Sequence, residues 1–233
     1  MALQSSGPIS LTQIQTEFGG SDPISLTEYY RGGAYTTDNN TGVPTSGAIS
    51  MAGDFYGTVR AVAMTYEIIG GGGEGGGGYL GGTGASGTAS SFSASGISTV
   101  TSSGGVGRGG SGSTGQAGDA SFYGPGGAGG INSDSNRQTP GYAAPATSYG
   151  AGGGGGGAYP FAANNGGAGG GAATRQANTV NIVPGVTVSV TIGSGGAAIT
   201  GGGNGAGGYA KFVVGGQTFE YTTAGSHSFT VPS

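Results

Sequence analysis

The chain has 233 residues, 61 of them glycine and none cysteine; 34% are apolar, 7% are charged, and the formal net charge at neutral pH is -4. So little apolar material excludes a large conventional core, and so few cations exclude a basic stripe for phosphate backbones or a polybasic patch for membranes. The lack of thiols excludes a disulfide framework and zinc–thiolate sites.

Residues 1–58 differ in kind from the rest. The start has neither the basic nor the apolar part of a secretory leader, and no apolar run approaches the roughly 18 residues of a membrane span, so a soluble chain made in the cytoplasm is expected. A degenerate repeat occurs three times: Pro8-Ile9-Ser10-Leu11-Thr12, the same five residues at 23–27, and Ala48-Ile49-Ser50-Met51. Each copy reads as the start of a helix of two or three turns. Ser10 with Gln13 and Ser25 with Glu28 make capping boxes, and Ile9 with Ile14 and Ile24 with Tyr29 have staple spacing. Gly19, Gly32 and Gly57 follow at the ends, where a left-handed cap is cheap. The third copy has Gly53 in the box position and is the weakest. Helices this short are marginal alone, so the stripes Ile9, Leu11, Ile14, Phe18 and Ile24, Leu26, Tyr29, Tyr30 need a partner surface, either the chain's own glycine-rich body or another protein of an assembly.

Residues 59–233 form the second unit. Val59 to Ile69 reads as a strand running straight into an almost uninterrupted glycine run, Gly70 to Gly78, broken only by Glu74. Beyond it glycine recurs every third residue, at 104, 107 and 110, at 109, 112, 115 and 118, at 124, 127 and 130, and at 202, 205 and 208. Three residues per turn is the period of a polyproline-II-type helix, and a glycine row lets a neighbour approach that face. Collagen would need an unbroken register and abundant proline. A disordered tether would be poor in aromatics, whereas Tyr79, Phe92, Phe122, Tyr123, Tyr142, Tyr149, Tyr159 and Phe161 thread this region. Packed polyglycine-II helices are therefore expected. Downstream, Thr179–Val183 and Val186–Ile192 around Pro184-Gly185 read as a hairpin, with Val186, Val188, Val190 and Ile192 on one face. Tyr209–Val214, Gln217–Tyr221 and Ser228–Val231 complete about six strands. The expected fold is mainly β and irregular, a strand-framed glycine-rich domain preceded by short helices.

The chemical inventory points to no enzyme, no metal and no cofactor. His227 is the sole histidine, the ten carboxylates are scattered, and the glycine run lacks the Gly-Lys-Ser/Thr of a phosphate loop, the only lysine being Lys211 in a strand. What remains is surface. Segments 131–149 and 159–165 interrupt the glycine with tyrosine, arginine, proline and asparagine, the side chains recognition loops use. Asn132, Arg137, Tyr142, Tyr149, Tyr159, Phe161, Asn164 and Asn165 are the receptor-binding candidates.

Ala2 to Gly20, echoed at Ile24 to Gly33, resembles a segment recurrent at the start of tailed-bacteriophage structural proteins. Ile68 to Gly73, Pro184 to Gly196 and Gly207 to Val214 resemble glycine-rich phage tail domains, and the composition is similar to that of T-even-type tail-fibre adhesins, whose polyglycine-II sandwich carries host-recognition loops at its tip. Ser228 to Pro232, a strand that commonly opens such domains, here closes the chain. The resemblance implies a virion protein, a tail-fibre tip or adhesin. Residues 1–58 would attach it to other tail or fibre proteins through Ile9, Leu11, Ile14, Phe18, Ile24, Leu26, Tyr29 and Tyr30, and the loops would bind a bacterial glycan or outer-membrane protein. Neither nucleic acid nor membrane insertion is expected, and a homo-oligomer is compatible with it. The alternative is a tail, baseplate or head-decoration protein touching only virion neighbours; ice binding by a flat polyglycine-II face is a third reading.

Overall fold

The computed structural model describes residues 2–77, 82–109, 116–130, 140–156, 167–198 and 201–232. Eight antiparallel strands form two four-stranded sheets. One has the order β4 (Arg175–Ile182), β1 (Val62–Ile69), β6 (Tyr209–Val214), β7 (Gln217–Tyr221); the other has β3 (Ile97–Ser102), β2 (Ser90–Ala94), β5 (Thr187–Ile192), β8 (Gly225–Thr230). Period-2 alternation drives this: in β5, Val188, Val190 and Ile192 are buried while Thr187, Ser189 and Thr191 face out. The buried set joins Met64, Ile68, Phe212 and Val214 from the first sheet to Phe92 and Phe229 from the second, with Phe92 edge-on to Phe212 at 5.1 Å.

Two strand expectations are corrected. Among the described residues the strands number eight, not about six: β2 and β3 are mostly serine and threonine and escape a hydrophobic pattern, with Phe92 their one buried apolar side chain and Ala94, Ile97 and Val100 half-buried against the core. The hairpin at Pro184-Gly185 does not form either, since β4 pairs with β1 while β5 pairs with β2 and β8. Pro-Gly, with Gly185 at φ +82°, suits a type II corner that splays its strands, whereas a two-residue hairpin wants positive φ at its first position, which proline cannot adopt. Gly215 (φ +56°) and Gly216 (φ +74°) meet that requirement, and β6 and β7 do pair.

The glycine-rich segments stack against one end of this sandwich, alternately leaving and approaching it. β1, β3 and β5 run on directly into outward segments 70–77, 103–109 and 193–198; inward segments 82–88, 167–173 and 201–208 lead into β2, β4 and β6. Segments 116–119, 126–130, 140–144 and 150–156 complete the array. Along 71–76 successive amides donate to three neighbours in rotation: Gly71 to Thr88, Gly72 to Ala206, Gly73 to Gly171, then Glu74 to Ala85, Gly75 to Gly203 and Gly76 to Ala168, at 2.8–3.1 Å. The carbonyls accept in the same rotation from parallel segments, Gly71 and Glu74 from Gly105 and Arg108, Gly73 and Gly76 from Gly153 and Gly156, and Gly72 from Gly196. A three-residue turn with six neighbours is polyglycine-II packing, and it supplies the backbone partners that an isolated helix of this type lacks.

Position in the lattice explains the two glycine patterns. Inner segments, surrounded on all sides, are nearly pure glycine: a Cβ on Gly71 would lie 1.9 Å from the Ser194 carbonyl oxygen. Rim segments need glycine in inward rows only. Gly104 and Gly107 face 84–87, while Val106 between them is 64% exposed. Glu74, the one side chain of the 70–77 run, is buried and its carboxylate accepts the Ala85 amide at 2.6 Å.

The N-terminal segment has its own small core. α1 (Leu11–Phe18) starts with the expected Ser10–Gln13 capping box. The second copy makes only a 3-10 turn, Leu26–Tyr29, where the Ser25 hydroxyl accepts from Thr27. The third copy, expected to be weakest, is helical as α2 (Met51–Phe55), because Asp54 instead of residue 53 accepts the Ser50 amide at 2.7 Å. Ile9, Ile14, Phe18 and Tyr29 are buried with Val43 and Phe55; Leu11, Ile24 and Leu26 pack half-buried around them. The apolar stripes thus satisfy one another, which corrects the expectation that they need the glycine body or a foreign surface. Tyr30 is half-buried, its hydroxyl donating to the Gly47 carbonyl.

Candidate functional site

Of the receptor-binding candidates, Asn132, Arg137, Tyr159, Phe161, Asn164 and Asn165 lie outside the described residues. Tyr142 and Tyr149 occupy different places. Tyr142 sits on rim segment 140–144 with its side chain free: it is 59% exposed, its amide donates to Ala128, and its carbonyl accepts from Gly154. Tyr149 sits at the sheet end of the lattice, where its ring stacks on Tyr209 at 4.8 Å and meets Tyr123 edge-on at 5.4 Å. Tyr149 therefore belongs to the seam between lattice and sheets and not to a loop tip. At the lattice end away from the sheets, outward segments reach residues 77, 109, 130, 156 and 198, and their antiparallel successors resume at 82, 116, 140, 167 and 201.

The seam itself is a polar-aromatic cluster. Phe122, 68% exposed, has the Arg175 guanidinium 4.1 Å from its ring centre, and Arg175 pairs with Glu67. Tyr123 meets the Tyr209 ring edge-on at 5.0 Å, and the Glu67 and Glu220 carboxylates lie near enough to act on the two phenols. Burial raises the Tyr209 phenol well above the ordinary tyrosine value, with Tyr123 and the Glu220 charge pushing the same way. A raised pKa means that the folded state holds a proton the unfolded chain releases near pH 10, so stability is full below about pH 10 and is lost as pH rises above it. Tyr209→Phe keeps the ring stack and removes the titration. We expect it to cost about 1 kcal/mol at neutral pH, the order of one buried polar contact, and that gap to narrow above about pH 10 in denaturant melts. A constant gap would refute the assignment. Sequence reading missed this cluster because its members come together only through the lattice.

Other chemistry is sparse. His227 stacks on Tyr221 at 4.8 Å, with its Nε2 2.8 Å from the Thr223 carbonyl oxygen, a strand residue as read from sequence. Among the described residues no group of three histidine or acidic side chains could hold a metal, and no helix is long and apolar enough to cross a membrane. Neither a family model, nor a curated protein, nor a solved structure matches the chain.

Proposed function

We propose that this is a virion protein of a tailed phage, a tail-fibre tip or adhesin, which binds the bacterial surface with loops on a rigid glycine lattice while residues 1–58 join it to the particle. The observation that carries the reading is the cross-bonded lattice, whose outward segments reach residues 77, 109, 130, 156 and 198 at the end opposite the sheets. Such a scaffold holds protruding contact residues at little entropic cost, which is what a recognition surface requires. The phage-like N-terminal segment gives the context. Because Ile14, Phe18 and Tyr29 are interior, attachment would use the outer face of that segment, where Met51 and Tyr56 are exposed.

Replacing Tyr142 and Tyr159 with alanine should lower adsorption to host cells roughly tenfold or more, as loss of interface anchors does, with particles assembling normally. Adsorption at the wild-type rate would favour the rival reading, a tail, baseplate or head-decoration protein whose loops touch only virion neighbours.

A further inference from the structure

The outer faces of the two sheets are unlike. That of β3-β2-β5-β8 is hydroxyl throughout: Thr101, Ser91, Thr191 and Ser226 align in one rank, Ser93, Ser189 and Ser228 in the next. The outer face of β4-β1-β6-β7 concentrates charge. Arg175, Glu67, Lys211 and Glu220 meet there, with Ala177 directly across from Glu67 and Lys211 paired in register with both Glu67 and Glu220. Ala177, a bare methyl in the row of Glu67 and Lys211, leaves a depression of about 410 Å³ between β4, β1 and β6. Thr65 and Thr179, opposite one another, continue its floor.

Lys211 is the anomaly. It is the chain's only lysine, half-buried on this floor, and it makes no ion pair with any described residue. Of the two carboxylates that face it in register, Glu67 is drawn to Arg175, and neither comes within ion-pair distance of the ammonium. The margin adds an exposed aromatic ring: Phe122 stands beside Arg175, which lines the depression. An ammonium without an ion pair among the described residues, paired threonine hydroxyls and an exposed ring at the margin of an open, shallow hollow are complementary to a sugar that carries a carboxylate. The hydroxyls answer its hydroxyls, the ring its apolar face, and the ammonium its charge.

We propose that this face is a binding site for an acidic saccharide, with Lys211 as counter-ion to the sugar carboxylate and Phe122 as its stacking wall. It lies on the sandwich and not on the lattice segment that carries Tyr142, so it is a second site whose success or failure is independent of Tyr142 and Tyr159.

The test is titration of the full chain with tri-galacturonate and, separately, with neutral maltotriose, followed by amide NMR. Tri-galacturonate should shift signals of 175–179 and 211–213, and added salt should weaken it. Lys211→Met should reduce its affinity at least about tenfold, as loss of a bond to a charged group does, and Phe122→Ala at least about threefold. Lys211→Arg, which keeps the charge, should still bind. Equal binding of maltotriose, no shift with either sugar, shifts confined to other segments, or wild-type affinity in Lys211→Met would each overturn the proposal. Should Lys211→Met fail to fold, the salt dependence and the maltotriose comparison on the unaltered chain decide it alone.

Discussion

One methyl group at Gly153 should collapse the glycine lattice, whereas the same methyl at Gly207 should leave it standing. A Cβ on Gly153 would lie 1.8 Å from the carbonyl oxygen of Gly203 and 2.4 Å from its carbon. Gly203 cannot retreat, because its amide donates to Gly154 and its carbonyl accepts from Gly75, so moving it breaks its bonds both to the substituted segment and to 70–77. Overpacking in a core that can adjust costs about 1–3 kcal/mol; here the obstruction is backbone on every side, and a loss above about 3 kcal/mol is expected. At Gly207 no heavy atom lies within 4 Å and the backbone is not left-handed, so alanine there should be neutral or gain up to about 1 kcal/mol through the unfolded chain. Thermal melts of Gly153→Ala and Gly207→Ala, with amide exchange over 150–156, check both arms. Equal melting of the two variants would mean that the lattice is not the close-packed array described.

The lattice was the most legible part of the sequence, since one property, the absence of a Cβ, reports directly on how near a neighbour lies. Gly202, Gly205 and Gly208, read as one row, do face a single region: Gly202 and Gly205 meet the 70–77 segment and Gly208 the end of β1. Hydrophobic alternation likewise exposed β5 and β6, whose inner faces are valine, isoleucine and phenylalanine. Pairing was less legible. The Pro184-Gly185 corner and the Gly215-Gly216 turn look alike as turn dipeptides, yet the sign of φ at the first position separates a crossover between sheets from a hairpin. The serine-rich β2 and β3 gave no local signal because neighbouring strands supply most of the apolar surface they rest on. The candidate sites divide in the same way: composition suggested tyrosine-bearing loops, but that Tyr149 would stack on Tyr209, or that Glu67 would pair with Arg175 and leave Lys211 without an ion pair among the described residues, depends on contacts remote in sequence.

Phe55→Ala should dissolve the N-terminal segment and leave the sandwich intact. Phe55 is fully buried, with its ring edge-on to Phe18 at 6.1 Å and to Tyr29 at 6.3 Å, so it ties α2 to α1 and to the 3-10 turn. Truncating such a ring costs about 3–5 kcal/mol. The segment has no reserve to absorb that, because α2 has five residues, α1 has eight, and only six buried apolar side chains hold them. None of those six belongs to the sandwich core, so the damage has no packed route into β1–β8. Hydrogen exchange should show lost protection over 11–18 and 51–55 with the strands unchanged, and Met51→Ala, at an exposed position, should shift neither by more than about 0.5 kcal/mol. Under the proposed function the same variant separates the two tasks: purified Phe55→Ala protein should still bind host cells through its lattice loops, yet particles made with it should lack the protein. Exchange rising together in both parts would instead make the chain one cooperative unit and remove the basis for assigning attachment and recognition to different ends.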